Sequence, residues 1–214
     1  MGKLNRNQDA LIVMIGGGWS AGKSSLTVKL AYELKMANII HTDVVRSCLR
    51  EVLDNESQFC ISLSTYESWK DAGLECTEQT LSEGFLRQCK LIYPSIKRSI
   101  EEAVDFGKNT IIEGMHLHPE LYKGISEKYN CKYFWLSFLE GHYDQRVKER
   151  CVSNYKNRDS GKYLSSKNKF KIILLNNILL KTASSSGICI IDNTQYNADQ
   201  AIIKHIQEMS TESS

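Results

Sequence analysis

Gly17-Gly18-Trp19-Ser20-Ala21-Gly22-Lys23-Ser24 directly follows the apolar run Ala10-Leu11-Ile12-Val13-Met14-Ile15, and Leu26, Leu30, Ala31 and Leu34 recur after it at helical spacing. The order is strand, glycine-rich loop, helix, and the spacing is that of a Walker A motif. Glycines let the backbone wrap closely around phosphate oxygens, so that successive N–H groups and the start of the helix point at the anion. Lys23 is expected to neutralise the β- and γ-phosphates of ATP, and the Ser24 hydroxyl to ligate Mg2+. Gly17 through Ser25 are thus the expected nucleotide site.

Around this loop the 214 residues read as a single domain, because only two prolines, Pro94 and Pro119, and no serine- or glycine-rich linker interrupt them. A hydrophobic content of 42% supports one continuous core. The formal charge of +2 is evenly spread and no basic block resembles a nucleic-acid arm, so anion binding is expected to be local. Seven cysteines without a C-x-x-C pair read as reduced structural thiols rather than as a metal site. No apolar stretch approaches the ~20 residues needed to span a bilayer, and a soluble cytoplasmic protein with neither nucleic-acid nor membrane partner is expected.

Strands are predicted at 10–16, 39–41, 109–113, 131–138 and 188–192. Helices are predicted at 22–36, 43–53, 119–129, 166–186 and 198–209, with a long helical region at about 64–106 and a charged segment at 142–163. This alternation predicts an α/β fold of the P-loop NTPase type, a parallel sheet with helices on both faces and ligands at the carboxyl ends of the strands. The distance from Asp43 to Thr110 exceeds a simple crossover, so residues 56–106 form a helical insert. Within it Ile92, Ile96 and Ile100 mark one buried face, and Pro94 predicts a kink. Ser64-Thr65-Tyr66-Glu67 has capping-box spacing and predicts a separate short helix carrying Trp69.

A Walker A loop alone does not separate kinases from GTPases, motors or sensors; the acids and arginines beyond it do so better. Asp43 lies just past the second strand and opens a helix on which Arg46 and Arg50 share a face. A carboxylate there suits proton acceptance from an attacking hydroxyl, with the arginines gripping an anionic substrate. An N-cap with a solvated arginine face is the structural alternative. Glu113 ends the strand Thr110-Ile111-Ile112, in a position to hold magnesium or polarise the nucleophile, and Gly114 after it allows close approach. Asp43 and Glu113 are interchangeable in these roles at this level. His116 and His118 alternate, so at most one is expected to face the site. Arg146 and Arg150 share a helical face, Arg158 follows, and together they suit a basic lid over the transferring phosphoryl group at about 142–163; a solvated helix paired through Asp144 and Glu149 is the alternative. Asp192-Asn193 suits either an adenine border or a turn.

With these residues assembled, the chain resembles the 2-phosphoglycerate kinase family and, more distantly, zeta-toxin-type small-molecule kinases. The resemblance rests on GGWSAGKSS, TDVVRSCLRE at 42–51, STYESWK at 64–70, SEGFLRQ at 82–88, IIEGMHLHPELY at 111–122, the basic segment through Lys162-Tyr163-Leu164, and GICIIDN at 187–193. It implies ATP-dependent phosphorylation of a small phosphorylated hydroxy acid, 2-phosphoglycerate giving 2,3-bisphosphoglycerate. It also implies that Arg46, Arg50, Tyr66, Trp69, Arg87, His116 and Arg158 line the acceptor. Two departures stand out. The longer archaeal relatives carry an additional N-terminal domain, and Lys171 stands where the pattern has arginine, without that residue's bidentate fork. A nucleotide-hydrolysing switch and a non-catalytic nucleotide-binding module are the rival classes; the Asn-Lys-x-Asp base-reading motif of GTP switches is absent from the sequence.

Overall fold

A computed structural model describes residues 10–138, 142, 145, 146, 166–194 and 197–211. Five strands, β1 (Ile12–Gly17), β2 (Asn38–His41), β3 (Thr110–Glu113), β4 (Cys131–Ser137) and β5 (Cys189–Asp192), form one sheet in the order β2-β3-β1-β4-β5, every pairing parallel. β1 is buried along its whole length, as its unbroken apolar run requires of a central parallel strand. In register, His41 at the end of β2 pairs with Glu113 at the end of β3, and Glu113 with Ile15, just before the glycine loop. The sheet therefore delivers the loop and the acid to one edge.

Helices cover both faces. On one, α1 (Lys23–Glu33) and the C-terminal α8 (Ala198–Thr211) bury Leu26, Leu30, Ala198 and Ile202 against Val13, Ile15 and Phe134. On the other, α5 (Glu78–Asp105), α6 (Pro119–Lys128) and α7 (Ser166–Ser185) pack Phe85, Ile92, Tyr122 and Leu175 against Ile12, Met14 and Trp135. At roughly 25 cal/mol per Å2 of apolar surface removed from water, such two-sided burial is the main driving term for the layered arrangement.

The expected helical stretch from 64 to 106 is broken into several pieces. After α2 (Thr42–Leu49) come α3 (Asn55–Ser62), a 3-10 turn (Thr65–Glu67), α4 (Trp69–Ala72) and only then α5. The Asp54 carboxylate caps α3 by accepting from the Ser57 N–H at 2.8 Å. The capping box predicted at Ser64 does not form, since the Ser64 side chain makes no cap bond. One forms instead at Thr77 and Thr80, which opens α5. α5 is continuous through Pro94, and the buried Ile92, Ile96 and Ile100 carry the core face across it. Gly84 is the point of closest approach within the insert: an added Cβ would overlap the Ser68 backbone.

Candidate active site

The phosphate loop takes the backbone that its glycines allow. Gly17 and Gly22 have φ of 149° and 86°, and Ser20 also sits at positive φ, 64°. Gly22 immediately precedes α1, so the helix opens with its free N–H groups facing the loop. The Lys23 ammonium donates back to the Gly18 carbonyl at 2.9 Å, which holds it over the loop. Ser24 and Ser25 are exposed, while Ala21 is buried and anchors the turn.

Three residues that the motif does not contain hold this loop. The Asn176 side-chain oxygen, from α7, accepts the Trp19 N–H at 3.0 Å. The Asn193 amide donates to the Ala21 carbonyl at 2.9 Å and lies so close to Gly22 that an added Cβ would sit 2.7 Å from it. Arg146, only 5% exposed, donates to the Asn193 carbonyl and, at 3.2 Å, to that of Thr194, while its own carbonyl accepts from the Ser20 hydroxyl at 3.4 Å. Thus Asn193 and Arg146 lie against the loop backbone, whereas Asp192 closes its own turn onto the Thr194 N–H at 2.8 Å. Arg150 and Arg158 lie outside the described residues, as do the expected pairing acids Asp144 and Glu149.

Glu113 is 6% exposed, and its Oε1 accepts the Ser24 hydroxyl at 3.1 Å and meets His41 Nδ1 at 2.6 Å. His41 is a neighbour that sequence reasoning missed; its signal was its place at the end of the strand before Thr42-Asp43. Asp43 differs sharply, with a side chain 78% exposed. It is not the helix cap, since His41 occupies that position, and it lies in the first turn of α2. Its Oδ1 is 3.6 Å from Nδ1 of the fully buried His116, which also lies 3.4 Å from the Thr42 hydroxyl. Burial pushes the His116 imidazole down to about 3; Asp43 opposes this, and the positive fields of Arg46, Lys23 and Arg50 reinforce it. Four predicted site residues thus act on one imidazole.

Between them, Gly114 has φ 151°, and an added Cβ would overlap the Thr42 hydroxyl. His116 sits in the turn that follows, whereas His118 is on extended backbone (φ −71°, ψ 126°) at the position that precedes α6; their rings lie 5.5 Å and 6.4 Å from that of Phe85.

Arg46 and Arg50 are not a solvated face. Arg46 Nη1 donates to the Leu63 carbonyl and Arg50 Nε to that of Ile61, each at 3.2 Å, which ties α2 to the end of α3. Tyr66 is buried with Ile172 of α7, and Trp19 of the loop packs against the pair. Arg87 donates to the Asp71 carbonyl at 2.7 Å and pairs with its carboxylate at 3.5 Å, so it braces the insert. Arg98 likewise bonds Glu102, at 3.1 Å on the exposed side of α5. Among the described residues, no helix is long and apolar enough to cross a membrane, and no group of three or more metal-ligating His, Cys, Asp or Glu side chains occurs.

No protein-family model matches the chain. It is 29% identical over 185 residues to the 2-phosphoglycerate kinase of Pyrococcus horikoshii, a match covering 86% of this chain and 60% of that protein. It is 28% identical over 203 residues to the protein of that name from Pyrococcus furiosus, covering 94% and 66%, and 28% over 218 residues to that from Thermococcus kodakarensis, covering 97% and 71%. The chain therefore spans 60% to 71% of the length of these relatives. Among solved structures, shikimate kinase from Acinetobacter baumannii superposes with a TM-score of 0.51 at 12% identity over 96% of both chains. Shikimate kinase from Bacteroides thetaiotaomicron gives 0.50 at 15%, over 94% of this chain and 98% of that one. The chain has the P-loop kinase fold, and over most of its length it is similar in sequence to archaeal 2-phosphoglycerate kinases.

Proposed function

We propose that the protein is an ATP-dependent kinase that phosphorylates 2-phosphoglycerate to 2,3-bisphosphoglycerate. The observation that carries the reading is the unlike environment of its two acids at one sheet edge. Glu113 is buried against the Walker serine, whereas Asp43 stands exposed beside a buried imidazole. Two oxygen donors 3.1 Å apart, Ser24 Oγ and Glu113 Oε1, suit a hard divalent cation. The left-handed Gly22 turn, with Lys23 leaning on the Gly18 carbonyl, suits a triphosphate that would take over that ammonium. When bound, MgATP supplies the phosphoryl group and the metal charge that stabilises its transfer.

Lys23 then holds the transferring group, Glu113 and Ser24 hold the ion, and His41 keeps the Glu113 carboxylate oriented. The acceptor hydroxyl oxygen forms the new P–O bond while the bond to the nucleotide's bridging oxygen breaks, and its proton passes to Asp43. Arg46 and Arg50, next to Asp43 along α2, attract an acceptor that already carries phosphate and carboxylate. Relatives named for 2-phosphoglycerate support the choice of acceptor.

The reading is tested by incubating the full chain with γ-labelled ATP and a panel of phosphoglycerates, glycerate, sugar phosphates, inositols and nucleosides. Label transfer to 2-phosphoglycerate in preference to glycerate is expected. Transfer to a neutral acceptor at an equal rate, or hydrolysis without any acceptor, refutes it.

A further inference from the structure

Lys171 in α7 is only 5% exposed, yet its ammonium has no carboxylate within ion-pair distance among the described residues. Its ammonium lies over the face of Trp69, whose ring centroid is 5.4 Å away, and within electrostatic reach of the Cys76 thiol. The indole Nε1 of Trp69 is itself buried without a hydrogen-bond partner. The Lys171 side chain is thus enclosed by protein along its length, and its charged end meets an aromatic face rather than a carboxylate. Both groups are donors with no acceptor function. A buried indole donor and an ammonium at the same ring make a site suited to an anion.

The fold places this site beside the transfer machinery. Ile172, the next residue of α7, packs on Tyr66 together with Trp19 of the phosphate loop, and Trp69 follows Tyr66 within the same short segment. Arg46 reaches the start of that segment at Leu63, and the Thr65 hydroxyl approaches Met115 Sδ, next to His116, at 4.0 Å. The segment from 63 to 69 thus runs from the arginines of α2 to Lys171 of α7.

We infer that Lys171 and the Trp69 indole N–H form a second anion subsite, which takes one of the two anionic groups of the acceptor while Arg46 and Arg50 take the other. The inference rests on the acceptor reading above and deepens it: the preferred acceptor carries two separated anionic groups, not one. It also accounts for lysine at this position, since a single carboxylate or phosphate oxygen against an ammonium and one indole N–H needs no bidentate fork.

The full chain is titrated calorimetrically with 2-phosphoglycerate, glycerate and glycerol 2-phosphate, the last two each lacking one anionic group, in the parent and in Lys171→Met and Lys171→Arg. Lys171→Met is expected to weaken 2-phosphoglycerate binding by more than tenfold and to leave ATP affinity within about twofold. It is expected to leave one truncated acceptor, the one without the group that Lys171 holds, bound as in the parent. Lys171→Arg retains most of the affinity. Because Met fills the space without an unpaired charge, the melting temperature of ligand-free Lys171→Met is expected to equal or exceed that of the parent. Unchanged binding of all three acceptors, or a fall in melting temperature together with uniform loss of all ligands including ATP, overturns the subsite. A parent that phosphorylates 2-phosphoglycerate while Lys171→Met matches it refutes the subsite alone. A parent that binds none of the three refutes the acceptor reading with it.

Discussion

Replacing Gly114 by Ala probes the junction that holds the proposed base. The new Cβ would overlap the Thr42 hydroxyl and lie 2.8 Å and 2.9 Å from Thr42 Cβ and Cγ2, at a backbone φ of 151° that side chains other than glycine's rarely accept. Strained backbone costs about 1–3 kcal/mol and overpacking of a buried contact about 1–3 kcal/mol more. The sum, about 2–6 kcal/mol, corresponds to a melting temperature lower by roughly 5–20 °C in a domain of this size. Thr42 opens α2 and Asp43 follows it, so relief of the clash displaces the base; turnover is expected to fall more than tenfold with ATP affinity little changed. Thermal unfolding and single-turnover transfer read the two effects. Thr42→Ala removes the hydroxyl and methyl contacts but leaves Cβ, so the double variant is expected to recover about 1 kcal/mol or more relative to the sum of the singles. A Gly114→Ala protein that melts and turns over like the parent, or strictly additive losses, refutes the idea that this glycine is dictated by Thr42.

Lys23→Ala removes the cation over the loop without touching the core, so transfer is expected to fall by orders of magnitude while ligand-free melting temperature stays constant; parental turnover would reject the assignment. Asp43→Asn is expected to bind nucleotide normally and abolish transfer, whereas the loss in Glu113→Gln is partly relieved by raising magnesium; the opposite pattern in a magnesium titration exchanges their roles. The folded-state value of His116, about 3, lies below the 6.5 of the unfolded chain, so the unfolded chain binds more protons between these limits and stability falls as pH drops from about 6.5 toward 3, with His118 acting in the same sense. Urea midpoints at stepwise lower pH are expected to decline more steeply for the parent than for His116→Phe, and parallel declines would show that His116 does not drive the loss.

What was legible in the chain was what local chemistry decides. The apolar run 10–15, the glycine loop and the 3.6-residue periodicities yield the strands, the order of elements and the carboxyl-terminal sheet edge near which Glu113 and Asp43 lie. The helical insert was legible as a length excess and a separate short helix carrying Trp69 was expected from Ser64, but the second start at Thr77, which forms the capping box that Ser64 does not, was not read. Asn176, His41 and the loop-facing role of Asn193 stayed hidden for a different reason. Each acts on a partner far along the chain, and an asparagine among apolar residues of a helix looks the same whether it meets water or the Trp19 N–H. Arg46 and Arg50 were placed correctly on one face, but that the face meets the carbonyls of Leu63 and Ile61 is a property of tertiary packing alone.

The grip of Asn176 and Asn193 on the loop also orders events during synthesis. Trp19 and Ala21 leave the ribosome early, yet the amides that fix their backbone arrive 157 and 172 residues later. A nascent chain ending before Asn176 carries the whole motif but lacks both amides that hold its backbone in the folded chain. On the proposed function, nucleotide is therefore expected to stabilise chiefly the completed molecule, once β5 is docked at the sheet edge and Asn193 reaches Ala21.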